Sequence, residues 1–267
     1  MTRAPYARRV PPEPAVPALR LRGLGKRFGR TVAVDALDLD IPAGSFYGVV
    51  GPNGAGKTTT LSMATGLLEP DTGTVHVHGV DVWREPARAA ALVGVLPDGM
   101  RLFDRLTGPE LIAYAGLLRG LRPDVVAARR DDLVAALDLA GAGRTLVTDY
   151  SAGMTKKAAL ACALVHAPRL LVLDEPFEAV DPVSAAAIRG ILRSFVAEGG
   201  TVVLSSHVMA LVEATCDHVA VVAAGRVLAA GTVEEVSAGR GLDQRFVELL
   251  GGGAGPVELS WLRPSSG

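Results

Sequence analysis

Residues Gly51 to Thr59 read GPNGAGKTT, which fits the pattern G-x-x-x-x-G-K-[ST]. The chemistry this allows is phosphate binding. Gly51, Gly54 and Gly56 let the backbone wrap closely around an anion and take conformations that a side chain disfavours. With Pro52, Asn53 and Ala55 they form a loop whose N–H groups, together with the start of the next helix, suit phosphate oxygens. Lys57 brings a cation to the β- and γ-phosphates, the Thr58 hydroxyl suits Mg2+, and Thr59 follows in the same turn. Further on, LLVLDE at 170–175 is a buried-strand run ending in two acids. Its C-terminal end is where ligands sit in open α/β sheets. Asp174 there would hold Mg2+ through water, and Glu175 could orient or deprotonate a water for in-line attack on the γ-phosphate. Alone, each stretch has a blander reading: a Gly-rich turn, and a strand ending in solvated acids. Their presence in one chain favours phosphoryl chemistry.

Further stretches carry reactive or polar groups. YSAGMTKK at 150–157 places Ser151 and Gly153 at a helix start, which suits an anion but alone reads as an ordinary N-cap. His207 follows the apolar run TVVLSS, where a lone His is more often structural. His76 and His78 stand at i and i+2 and could suggest a metal. With no third ligand apparent, the expectation is an exposed strand face. Cys162 is expected to be packed on the helix after Ser151. The two cysteines lack metal-site spacing and point to a reduced intracellular protein.

These groups need a scaffold to bring them together. ALRLRGL and VAVDALDLDI alternate as strands do, and SFYGVVG is a near-continuous apolar run of a strand buried on both faces. GTVHVHG, RLLVLDE and TVVLSSH supply further strands, KTTTLSMATGLL a helix, residues 183–198 another, and HVAVVAAGRVLAAG two strands around a turn at Gly225. Strands alternating with helices predict a mostly parallel α/β sheet. From 100 to 145 the spacing turns helical and interrupts that alternation, so an inserted helical subdomain is expected. LDQRFVELL predicts one helix near the end, followed by a flexible GGGAGP.

The 267 residues suit one large domain or two small ones, and 49% hydrophobic residues provide a substantial core. Net charge is −1, so no global basic field points to nucleic acid. No apolar run approaches the roughly 20 residues of a membrane-spanning helix. The chain is expected to be soluble by itself, which leaves room for a membrane-bound partner. Residues 1–18 are basic and Pro-rich without an apolar signal core and are expected to be a disordered arm.

Taken together, the motifs resemble those of ABC transporter ATP-binding subunits over about residues 19–235. Besides GPNGAGKTT and LLVLDEP, YSAGM matches the ABC signature at Ser151 and Gly153, AVDP resembles the D-loop through Asp181, and SSH the switch-histidine loop through His207. KRFG places Phe28 where the family stacks an aromatic on adenine. The resemblance implies a P-loop NTPase of ABC ATPase type: a mostly parallel sheet core, an N-terminal antiparallel β part and a helical subdomain at about 100–155, followed by a tail at 236–267. It also implies ATP and Mg2+ as ligands. Glu175, His207 and Lys57 would act in hydrolysis, with His207 contacting the γ-phosphate. Ser151 and Gly153 would meet the γ-phosphate held by a second subunit, in a head-to-tail homodimer.

The chain departs from the family pattern at several points. Where the family usually has a Gln after the strand preceding the helical insertion, VGVLPDGM has Asp98. A carboxylate there could bind Mg2+ more directly, or Asp98 could be a loop cap beside Gly99 with no catalytic part. The signature has Ala152 for Gly and Met154 for Gln, and Glu178 and Val180 deviate before the D-loop. YSAGM and LTGPELIAYAGLLRGL look most like bacterial exporter subunits encoded apart from their membrane protein. The implied partner is therefore a multi-span permease, and the implied location the cytoplasmic face of the cell membrane. The alternatives are a soluble ABC ATPase of translation or repair and a low-activity regulatory ATP-binding module.

Overall fold

The computed structural model describes residues 16–252; the expected N-terminal arm up to residue 15 and the chain from 253 onward, with most of the glycine-rich stretch, lie outside them. In chain order come β1 (Leu19–Phe28), β2 (Thr31–Ile41), β3 (Phe46–Val50), α1 (Lys57–Ala64), β4 (Thr72–Val77), β5 (Val80–Asp81), α2 (Pro86–Leu92) and β6 (Val93–Leu96). Then follow α3 (Gly108–Leu118), α4 (Pro123–Ala136), α5 (Ala152–Leu164), β7 (Leu170–Leu173), α6 (Pro182–Ala197), β8 (Thr201–Ser206), α7 (Met209–Thr215), β9 (His218–Ala223), β10 (Arg226–Thr232), α8 (Val233–Ser237) and α9 (Leu242–Leu249). Among the described residues, no helix is long and apolar enough to cross a membrane.

The strands form two sheets. One has the order β10-β9-β3-β8-β7-β6, parallel except for β10; the other is antiparallel, in the order β2-β1-β4-β5. The central strands β3, β8 and β7 are buried along their whole length because both their faces are covered, and β8 carries hydroxyl side chains at Thr201, Ser205 and Ser206 beside its apolar residues. Phe46 and Val50 of β3, Leu171 and Leu173 of β7, and Val202 and Leu204 of β8 face one core, shared with α5, α6 and α7. Tyr47 and Val49, Leu170 and Val172, and Val203 face a second core, closed by the antiparallel sheet and α1. The period of two along each strand thus divides its side chains between the two cores.

Between β6 and β7 lie α3, α4 and α5, so the helical insertion expected from residue 100 is present. Its entry is well marked. Thr107 accepts from the Glu110 N–H, Glu110 Oε2 accepts from the Thr107 N–H at 2.8 Å, and Pro109 sits in the first turn. Helix α6 starts in a similar way: Asp181 Oδ1 accepts from Val183 N at 3.0 Å and from Ser184 N at 2.9 Å, ahead of a buried stripe of Ala185, Ile188 and Leu192. Near the end of the described residues, Val236 and Leu242 are buried in the first core.

One expectation is corrected. His76 lies on β4, but His78 lies beyond the strand end in a left-handed turn with φ +46. The pair does not share a strand face. Burial is the main cause that lowers the His78 pKa, and His76 Nε2 faces Asp81 Oδ2 at 3.8 Å.

Candidate active site

Parallel register brings the site together. Val50 pairs with Ser206, Leu173 with Leu204, and Leu96 with Leu173, so β3, β8, β7 and β6 all end at one edge of the sheet. The residues that leave those ends are the loop Gly51–Gly56, His207, the pair Asp174–Glu175, and Asp98. Sequence distance is irrelevant here; strand order and register decide what meets.

A cleft of about 490 Å³ opens there, lined by Phe28, Thr31 to Ala33, Asn53 to Thr59, Asp98, Glu175, Glu178 and His207. Gly56, at φ +99, is the N-cap of α1, and a Cβ on it would run into the Ala33 carbonyl oxygen. Lys57 is buried. Its Nζ donates to Gly51 O at 2.8 Å and Pro52 O at 3.2 Å, and lies 3.9 Å from Glu175 Oε1. Glu175 Oε1 is also 3.0 Å from His207 Nδ1. Phe28 is half exposed at the cleft wall, with Lys26 Nζ 5.9 Å from its ring centroid.

Asp174 is buried, and its Oδ1 accepts a hydrogen bond from Ser205 Oγ. That hydroxyl also accepts from Glu175 N at 2.9 Å. Glu175 itself has φ +45, in the left-handed region, which costs a non-glycine residue on the order of 1–2 kcal/mol. Lys156 Nζ donates to the Glu175 carbonyl at 3.0 Å. Ser205 and Lys156 were not among the residues expected from sequence. The signal for Ser205 is positional: pairing of Leu173 with Leu204 puts it beside Asp174, but only once β7 and β8 are known to be neighbours.

Asp98 is exposed. Its Oδ1 accepts from Gly99 N at 2.8 Å, so it does cap its loop, and it also lines the cleft. The signature residues stand elsewhere. Ser151 N-caps α5, accepting from Met154 N at 3.2 Å, and neither Ser151 nor Gly153 lines the cleft of Lys57 and Glu175. Gly153 packs instead against Asp181 and Ser184 at the start of α6. The Ser184 amide is the main cause that holds the Asp181 carboxyl below its ordinary range. Burial pushes the Cys162 thiol up to about 12, in keeping with a packed cysteine.

The donors suit Mg2+ with its substrate. Among the described residues no group of three or more His, Cys, Asp or Glu could hold a metal alone. Mg2+ typically takes one or two carboxylates and completes its shell with water and substrate phosphates. Thr58 Oγ1 and Asp174 are oxygen donors of that kind.

A G-x-x-x-x-G-K-T loop between a buried parallel strand and a helix, with acids at the end of β7, one strand removed from β3 across β8, defines a P-loop nucleotide-binding protein. The chain belongs to the ABC transporter family, whose description "ABC transporter" matches residues 34–178, more than half of its length. It is 39% identical over 232 residues to the daunorubicin resistance ATP-binding protein DrrA3 of Streptomyces coeruleorubidus, covering 87% of this chain and 73% of that one. To the Nod factor export ATP-binding protein I of Cupriavidus metallidurans it is 36% identical over 218 residues, 82% of this chain and 72% of that one. A solved structure of an ATP-binding subunit of an ABC transporter superposes with a TM-score of 0.81 at 27% identity, covering 87% of this chain and 99% of that one.

Proposed function

We propose that this chain is the ATP-binding and ATP-hydrolysing subunit of an exporter, working at the cytoplasmic face of the membrane with a separate multi-span permease. The observation that carries this is the split of the motif residues. Lys57, Glu175, His207 and Phe28 meet in one cleft, while Ser151 and Gly153 cap a helix outside it. One chain thus offers two complementary halves, and two chains head to tail would make two whole sites. The names of the relatives, drug resistance and Nod factor export, support export.

In this mechanism Phe28 stacks on adenine, and the loop N–H groups with Lys57 bind the β- and γ-phosphates. Thr58 and Asp174 would hold Mg2+, which neutralises charge building on the phosphate oxygens. Glu175 orients a water for in-line attack and accepts its proton. His207, beside Glu175, contacts the γ-phosphate. Asp98 lines the cleft from its own loop, and its carboxylate would be a further oxygen donor for the metal. Ser151 and the N-terminus of α5 meet the γ-phosphate of the partner's ATP.

The same reading assigns residues 19–235 to the ATPase domain, with the helical part at about 100–155 facing the permease. Phe103, Tyr114, Leu117 and Leu118 are large, apolar and exposed there, and Phe103 and Tyr114 meet edge to face at 5.4 Å. An apolar patch of that kind fits a docked helix.

A mixed dimer of Lys57→Ala and Ser151→Arg chains tests the arrangement. Both defects fall in one composite site and leave the other whole, so the mixture should regain ATPase activity that neither homodimer has. A mixture as inactive as its parts, in the presence of the permease, would count against the head-to-tail site. A wild-type chain that hydrolyses at full rate as a monomer would overturn it.

A further inference from the structure

The peptide that carries Glu175 is gripped from both sides by side chains of other elements. On its N–H side stands Ser205, a fully buried hydroxyl that accepts from Glu175 N at 2.9 Å and donates to Asp174 Oδ1. On its carbonyl side, Lys156 of α5 donates from Nζ at 3.0 Å. Between them Glu175 has φ +45, a conformation that a glutamate does not favour locally and that its surroundings must therefore impose. From this backbone its carboxylate comes to 3.0 Å from His207 Nδ1 and 3.9 Å from Lys57 Nζ.

We propose that Ser205 and Lys156 are positioning residues for Glu175. They clamp its peptide in the left-handed conformation and so aim its carboxylate at the attacking water. Ser205 ties the peptide to Asp174, so that the residue toward Mg2+ and the residue toward the water are set by one hydroxyl. Lys156 ties it to α5. On the head-to-tail reading, on which this part rests, the start of α5 serves the partner's nucleotide. Lys156 stands just over a turn along the same helix and holds this chain's own Glu175. A shift of α5 as the partner's nucleotide is bound or spent then reaches Glu175 through a single hydrogen bond.

The test is ATPase kinetics on the full chain carrying Ser205→Ala, Ser205→Thr, Lys156→Met or Lys156→Arg, each alone and with Glu175→Gln, with Tm and ATP Kd measured on the same samples. Ser205→Ala and Lys156→Met should each lower kcat about tenfold while KM and Kd stay within about threefold, as expected of misaimed chemistry. Ser205→Thr and Lys156→Arg should restore most of the rate. On Glu175→Gln, Lys156→Met should not reduce the residual single-turnover rate further, because it acts through Glu175 alone, whereas Ser205→Ala should keep only the part of its loss that runs through Asp174. An unchanged kcat, or a loss that follows Tm and adds in full to that of Glu175→Gln, would overturn the clamp. Should Ser205→Ala not fold, the half-buried Lys156 pair decides.

Mixed dimers separate the clamp from the reading beneath it. With Lys57→Ala on one chain, Lys156→Met added to that chain should cost little, because its Glu175 already serves a dead site. Added to the other chain it should cost the same tenfold. Equal loss in both placements would overturn action within the chain. An active monomer would sink the head-to-tail reading alone, and the homomeric kinetics would still judge the clamp.

Discussion

Replacing Glu175 by Gln separates chemistry from binding, and the geometry sets the size of each effect. The substitution keeps the shape and a polar contact with His207, now 3.0 Å from Glu175 Oε1. It removes a negative charge 3.9 Å from Lys57 Nζ, where both side chains are largely buried. At an effective dielectric constant of about 20, opposite charges at that separation attract by about 4 kcal/mol. A γ-phosphate bound by Lys57 meets repulsion of the same origin from Glu175, somewhat farther off. Part of that repulsion vanishes in Glu175→Gln, so ATP should bind as well as before or up to about tenfold more tightly, about 1.4 kcal/mol. On the proposed mechanism the chemical step loses its base, which typically lowers the rate about 10²- to 10⁴-fold, or about 3–5 kcal/mol of barrier. Single-turnover hydrolysis with enzyme in excess reads the second effect, and equilibrium titration with a fluorescent ATP analogue reads the first. Size-exclusion chromatography with ATP and Mg2+ should also show a dimer accumulating as hydrolysis slows. A rate within about threefold of the parent would remove Glu175 from the chemistry. ATP binding weakened tenfold would refute the charge reasoning even if the rate fell.

Lys57→Ala should weaken ATP binding itself by about 10- to 10²-fold, the loss of a charge-assisted contact worth about 1.5–3 kcal/mol, in the same titration. Gly56→Ala should destabilise the fold by about 1–3 kcal/mol in a denaturant titration and weaken ATP binding, because φ +99 and the nearby Ala33 carbonyl leave no unstrained place for a Cβ. A third expectation concerns pH. Burial, reinforced by Arg119, pushes the His166 pKa down to about 4. The unfolded chain then binds the proton more readily between about pH 6.5 and 4, so His166 should cost stability as pH falls through that window. Discounted for its partial exposure, the loss should be about 1–2 kcal/mol. His166→Gln should flatten that part of a stability–pH profile, and an unchanged slope would show that His166 does not set it.

Most of the sheet was legible because its strands announce themselves. FYGVV and LLVL carry no charged residue, as suits strands covered on both faces, and they form β3 and β7 within the parallel sheet. The turn at Gly225 was legible from glycine between two apolar runs, and Gly225 has φ +74. Helix α7 was not read: Met209–Thr215 is short, follows His207 without a side-chain cap, and owes its place to packing on β3 and β8. The two residues of β5 pair only with the end of β4 and carry no period of their own. His78 failed because alternation was carried past the strand end into a turn. At the site, motif spacing was enough to single out Lys57, Asp174 and Glu175. Nothing in the spacing could reveal Ser205 or Lys156, since their contacts with Glu175 depend on strand order and on where α5 lies.

The departures in the signature fall where the fold tolerates them, and this decides which residue can probe the second half-site. Ala152 is exposed on the first turn of α5, so its methyl group displaces nothing inside the chain. Met154 is half-buried against the first core, where a flexible apolar side chain packs as well as a glutamine's stem would. Gly153 is different. A Cβ there would lie 2.7 Å from Ser184 Oγ and 2.8 Å from Asp181 Oδ2, so any side chain at 153 has to displace the Asp181 and Ser184 side chains at the start of α6. Glycine at 153 therefore has a packing role within one chain, whatever it does for a nucleotide. A loss of activity on substituting Gly153 would mix misfolding with chemistry. Ser151 lacks that ambiguity. It is exposed, and its side chain accepts one hydrogen bond, from Met154 N, a cap worth about 1 kcal/mol. On the proposed head-to-tail reading, a defect at Ser151 well beyond a cap's worth, in a chain that keeps its Tm, arises outside the chain's own fold, at the nucleotide of a partner.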